Sequence, residues 1–144
     1  ANAVIAPMGT RRVPLISSIQ AGLWAEIVNN FSPGDAEEWL LTDVKCSQSS
    51  FALTIKGNSM EPAFSDGDRV IIDPEIAPRP GSFVAAKNGS EEATFKKYRP
   101  RGISANGQDV FELVPLNQDY ATLYSDREPI RIIGTAVEHR RRLG

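Results

Sequence analysis

From residue 51 onward, turn signals recur every few residues, and the apolar stretches between them are too short for anything but strands. Phe51, Leu53 and Ile55 alternate with Ala52, Thr54 and Lys56, as on a half-buried strand. Gly57-Asn58-Ser59-Met60-Glu61-Pro62 breaks that pattern. Ser65-Asp66-Gly67-Asp68 reads as a turn, and Val70-Ile71-Ile72 as the next strand. Pro74, Pro78 and Pro80 with Gly81 make a stiff loop. Residues 82–87 and 92–98 read as two strands joined through Asn88-Gly89, a hairpin dipeptide. Residues 110–114 and 130–137 are two more, separated by a loop containing Pro115, Asn117 and Tyr120. A doubly wound α/β fold would need amphipathic crossover helices, and none is visible. The expected fold is therefore mainly β: a compact domain of packed, curved, largely antiparallel sheets with little helix.

The N-terminal part is less regular. Residues 1–12 are small and polar and read as a linker or arm, leaving 13–144 as one domain. Trp24, Ile27, Val28 and Phe31 recur at helical spacing, for at most two turns before Ser32-Pro33-Gly34-Asp35 stops them. Their expected role is a patch packed on the main body. Residues 37–42 fit a strand or a helix equally well.

Composition excludes several functions. The net charge of −2 gives no general attraction to nucleic acid. The basic cluster Arg140-Arg141-Arg142 reads as a solvated tail. The single cysteine, Cys46, allows no internal disulfide. His139 is the only histidine, which rules out multi-histidine metal sites; it reads as a surface or strand-end residue. No metal or cofactor is expected. There is neither a membrane-spanning apolar run nor a signal peptide, so the expected location is cytoplasmic.

Ser59 is the candidate nucleophile. It follows Gly57 just past a strand, at a corner that can expose a side chain and aim backbone N–H groups at one point. Such a donor at a developing oxyanion is typically worth about 3–4 kcal/mol. A serine hydroxyl also needs a base. With histidine nearly absent, lysine is the natural one, provided burial lowers its pKa from near 10.4 toward a useful range of about 7–8. Ala93-Thr94-Phe95-Lys96-Lys97-Tyr98 lies in a predicted strand. Alternation places Thr94, Lys96 and Tyr98 on one face, and Phe95 and Lys97 on the other. By pattern alone, either lysine could face inward.

Together these segments carry a resemblance. Gly57-Asn58-Ser59-Met60-Glu61-Pro62 followed by Asp66-Gly67-Asp68 resembles the nucleophile motif of the self-cleaving repressor family, which includes LexA, the lambdoid phage repressors and the UmuD mutagenesis proteins. Ala93-Thr94-Phe95-Lys96-Lys97 resembles the strand bearing that family's lysine, and the match selects Lys96, 37 residues after Ser59. Val13-Pro14-Leu15-Ile16 through Gln20-Ala21-Gly22 resembles the cleavage-site segment of phage-type repressors, placed within residues 13–31. Leu113-Val114-Pro115-Leu116-Asn117 is a weaker fourth match.

The resemblance implies a LexA-like C-terminal domain and a serine endopeptidase acting on its own chain. Ser59 and Lys96 would be the catalytic dyad, and the Asn58 and Ser59 N–H groups the oxyanion hole. Thr94 would orient the lysine, and Ala21–Gly22 would be the scissile bond. It further implies an SOS-type or prophage repressor that works as a homodimer, with the last strand as the expected interface. A RecA filament on single-stranded DNA would be the activator. Operator DNA would be bound only through a helix-turn-helix domain preceding residues 1–12. Three other readings share parts of the pattern: a UmuD-like polymerase accessory protein, a type I signal peptidase, and a repressor dimerisation module that does not cleave. The absence of a membrane span and the cut site within the same chain weigh against the signal peptidase.

Overall fold

The computed structural model describes residues 10–141 and Leu143. The strands are β1 (Arg11–Leu15), β2 (Glu38–Thr42), β3 (Phe51–Thr54), β4 (Arg69–Asp73), β5 (Phe83–Lys87), β6 (Thr94–Ile103), β7 (Asp109–Val114), β8 (Leu123–Tyr124) and β9 (Arg131–Arg140). Two short helices, α1 (Ser18–Gly22) and α2 (Trp24–Ile27), interrupt them near the start. All nine strands join one sheet in the order β2-β1-β3-β4-β9-β5-β6-β7-β8. Every pairing is antiparallel except that of β1 with β3. The mainly β, largely antiparallel architecture expected from the turn spacing is the one observed.

Curvature comes from β9, which pairs with β4 through its second half and with β5 through its first. The register slips on both sides, between Ile71 and Ile72 and between Ala85 and Ala86, and such bulges bend a strand and increase its twist. Gly134 sits at the bend. A Cβ there would lie 2.7 Å from Ile72 Cγ2 and 2.9 Å from the Pro74 backbone, so the strand can pass the end of β4 only without a side chain.

The folded sheet encloses the main core, built on Phe51, Leu53, Ile55, Met60, Phe64, Phe95 and Trp24. A second cluster, with Val13, Leu15, Leu40, Cys46, Ala52 and Ile71, covers the opposite face of β3 and β4. This explains a departure from the alternation. Ala52 was expected to face outward, yet both faces of β3 are covered and Ala52 is fully buried.

Other elements extend or shift. The segment 37–42 resolves as a strand because β1 pairs with it along its length. β1 begins at Arg11, so Arg11 and Arg12 belong to the sheet rather than to the expected arm. Residues 1–9 of that arm lie outside the described residues. β6 runs on to Ile103 through Pro100 and Gly102, which a bulge against β7 accommodates on an exposed ribbon. The Trp24 patch packs as expected, its ring 5.0 Å from Phe31 and 5.2 Å from Phe51. Its indole N–H donates to the Ser49 carbonyl at 2.7 Å.

The basic tail is not simply solvated. Arg140 bonds to Glu138 and to the Leu41 carbonyl, and Arg141 donates to the carbonyls of Pro62 and Ala63 at 3.1 and 2.8 Å. Arg142 lies outside the described residues. His139 lies next to the end of β9, with Nε2 2.7 Å from the buried carboxylate of Asp68. No helix among the described residues is long and apolar enough to cross a membrane.

Candidate active site

Ser59 sits in the turn between β3 and β4, and apolar anchors fix that turn. Met60 and Phe64 are 1 % and 6 % exposed. Burying side chains of this size typically contributes about 1.5–3 kcal/mol each. Phe64 packs edge-on against Phe83 and Phe95, with centroids 4.7 and 5.0 Å apart. Gly57 turns the chain with φ +79°, a conformation costly for other residues, and its N–H donates to Asp66 Oδ1 at 2.6 Å. Between these anchors, the Ser59 side chain is held at the mouth of the core, half-buried.

Lys96 reaches it from β6. Its Nζ lies 3.0 Å from Ser59 Oγ, 2.9 Å from Thr94 Oγ1 and 3.2 Å from the Phe95 carbonyl. No carboxylate pairs with it among the described residues. Burial without a counter-charge pushes the lysine pKa below its ordinary 10.5. Of the two lysines that the pattern left open, Lys96 is the one whose amine lies against the serine. Thr94 and Lys96 share a strand face, as alternation required.

The N–H groups of Asn58 and Ser59 have no protein acceptor among the described residues, while the Asn58 carbonyl accepts from Glu61 and Asn117 and the Ser59 carbonyl from Asn117. These two donors are thus free for a ligand oxygen. A cleft of about 170 Å³ opens over the dyad, lined by Ser59, Lys96, Thr94, Met60, Ser18 and Glu92 among others. No group of three or more His, Cys, Asp or Glu that could hold a metal occurs among the described residues.

The expected cut site is placed beside this cleft rather than in it. Ser18 lines the cleft; Ala21 and Gly22 do not. Both are buried in α1, and Ala21 belongs to the main core. Several bonds hold the segment down. The Ala93 N–H donates to the Ser18 carbonyl at 2.9 Å, and Ser18 Oγ donates to Glu92 at 2.7 Å. The Gly22 carbonyl accepts from Arg131 at 3.2 Å, and the same guanidinium lies 3.5 Å from Glu26. Gly22 fits only because it has no side chain: a Cβ would come within 2.3 Å of the Glu91 carbonyl oxygen. Sequence reasoning missed α1, although Ser17 and Gln20 form a capping box, a signature readable in the sequence. It also missed Arg131, for which no local signal exists.

The Peptidase S24-like family description matches residues 14–137, a span that contains Ser59, Lys96 and the whole sheet apart from the first residues of β1 and the last of β9. The chain belongs to this family. It is homologous to phage repressors, to LexA repressors and to HTH-type transcriptional regulators for conjugative elements. It is 38 % identical over 130 residues to Repressor protein C2 of Salmonella phage P22, covering 87 % of this chain and 57 % of that protein. It is 37 % identical over 128 residues to the HTH-type transcriptional regulator for conjugative element SXT of Vibrio cholerae, covering 85 % and 57 %. The LexA repressor of Cereibacter sphaeroides is 30 % identical over 130 residues, covering 90 % of this chain and 54 % of that protein. The chain thus spans about half the length of the curated relatives it matches.

Proposed function

We propose that this chain is the C-terminal domain of a repressor-type transcriptional regulator that inactivates itself by cutting its own Ala21–Gly22 bond. The observation that carries the reading is the 3.0 Å approach of Lys96 Nζ to Ser59 Oγ, with no carboxylate paired to the lysine among the described residues. Neutral Lys96 takes the Ser59 proton as Oγ attacks the Ala21 carbonyl carbon. The Asn58 and Ser59 N–H groups receive the oxyanion. When the C–N bond breaks, the Lys96 ammonium returns that proton to the departing Gly22 amine. Water then hydrolyses the Ala21 ester, with Lys96 again taking a proton, and Ser59 is regenerated. Thr94 orients the amine throughout.

The described structure is the resting form under this reading. A peptidase attacks an extended bond that it can reach, whereas Ala21 is helical and buried. The segment must leave its seat, unwind and re-enter the cleft that Ser18 already lines. Because the substrate is tethered, attack is then effectively unimolecular. A RecA filament on single-stranded DNA is the proposed activator of that step. Homodimerisation, operator binding through a helix-turn-helix domain ahead of residues 1–12, and action in the cytoplasm complete the proposal.

Incubation of the purified chain at about pH 10, near the free lysine pKa, with Ser59→Ala as control, tests it by mass spectrometry. A product beginning at Gly22 that is absent from the control is the expected result. An intact chain at every pH, with and without RecA filament, would leave a dimerisation module that does not cut.

A further inference from the structure

The serine corner is held from a third part of the chain that belongs to neither catalytic segment. Asn117 lies three residues beyond the end of β7, the strand whose Val114 pairs with Lys97. Its backbone N–H donates to the Ser59 carbonyl at 2.9 Å, and its side-chain Nδ2 donates to the Asn58 carbonyl at 3.0 Å. Its own Oδ1 accepts from the Asp119 N–H at 3.0 Å, which fixes the amide's rotation so that Nδ2 faces Asn58. Pro115 is buried and Leu116 packs against the main core, so the loop has a defined seat.

A trans peptide is planar, and its C=O and N–H point in opposite directions. The Asn58 carbonyl shares a peptide with the Ser59 N–H, and the 58–59 peptide is trans. Holding that carbonyl on one side therefore aims the Ser59 N–H toward the other, where it has no protein acceptor among the described residues. We infer that Asn117 is the positioning residue of the oxyanion hole: its side-chain amide clamps the Asn58 carbonyl and so directs the Ser59 N–H at the reacting oxygen. Asn117 does not touch the substrate. It acts through the orientation of one peptide plane, which within the Gly57–Pro62 motif is held only by the longer 3.2 Å bond from the Glu61 N–H to the same carbonyl. The inference rests on Ser59 being the nucleophile.

The test uses the full chain and a fluorophosphonate, whose phosphoryl oxygen must occupy the same donors while Ser59 displaces fluoride. This probe reads the site without requiring the α1 segment to move. Asn117→Ser retains an oxygen that can accept from the Asp119 N–H, but it is too short to reach the Asn58 carbonyl; Asn117→Ala removes both bonds. Labelling rates are measured across pH 7 to 10 alongside thermal melting. Misdirecting one donor should lower the high-pH plateau about tenfold to a hundredfold, somewhat less than deleting an oxyanion donor. The pH midpoint set by Lys96 and the melting temperature of Asn117→Ser should stay at wild-type values. Wild-type plateau rates in Asn117→Ser would overturn the inference, as would a rate loss that came with a shifted midpoint. If the wild-type chain itself neither labels at Ser59 nor cuts, the dyad reading fails and Asn117 loses its role with it.

Discussion

Replacing Arg131 with alanine should make the chain cut itself faster, although Arg131 is not among the residues lining the dyad's cleft. Among the described residues its guanidinium is the one side-chain donor to the buried Gly22 carbonyl, and it also faces Glu26. A hydrogen bond to a charged group contributes about 1.5–3 kcal/mol when shielded. Arg131 is 51 % exposed, which reduces that to about 1 kcal/mol, and the exposed pair with Glu26 adds about 0.5 kcal/mol at most. Losing both should favour the released segment by about 1–1.5 kcal/mol, or roughly five- to tenfold at about 1.4 kcal/mol per factor of ten. If the seated form dominates, the cutting rate scales with the released fraction and rises by that factor. The assay is the first-order loss of intact chain on denaturing gels at several pH values, with Ser59→Ala/Arg131→Ala as the silent control. The increase should be the same at each pH, because the base is untouched. An unchanged or slower rate would show that Arg131 does not hold the segment, and a pH-dependent increase would show that it acts on Lys96.

Three further outcomes follow from the same geometry. The wild-type cutting rate should climb with pH through a midpoint below 10.5, the direction set by burial of Lys96, and Lys97→Ala should preserve that profile; a flat rate from pH 6 to 10 would exclude a lysine base. Because the folded pKa of Lys96 lies below its unfolded value, the unfolded chain binds the extra proton in between, and stability rises with pH across that window. Lys96→Met should therefore be more stable than wild type near neutrality, with the difference shrinking toward pH 10 in urea titrations. In a Ser59→Ala background, Gly22→Ala should drive its Cβ against the Glu91 carbonyl, and hydrogen exchange of residues 21–27 should accelerate at least several-fold while β4 and β9 stay protected.

Much of this site was legible locally. Strand alternation placed Thr94 and Lys96 on one face, and the Gly57 turn marked the Ser59 corner. Helical spacing found the Trp24 patch. What escaped depends on partners distant in sequence. Residues 37–42 became a strand only through β1, and Arg131 meets Gly22 across 109 positions. Asn117 holds a peptide 59 positions away. Asp68, a turn residue by sequence, is a buried carboxylate that β9 meets with His139, 71 positions away. The α1 helix is a different kind of miss. Its capping box was readable, but Gln20-Ala21-Gly22 was read only as a cleavage-site segment, and the core receiving Ala21 makes it a seated turn.

The position of β1 gives the cut an aftermath. β1 lies upstream of Ala21 and is an interior strand, paired with β2 along its whole length and adjoining β3 on the other side. Hydrolysis between Ala21 and Gly22 would break the backbone without freeing what lies before it. The upstream piece would remain as a guest strand, retained by the sheet until β2 and β3 let it go. Nicking and parting would then run on two clocks, the first set by Lys96 and the second by the opening of a β-ladder. A freshly nicked protein should run as two pieces in detergent yet weigh as one in native mass spectrometry.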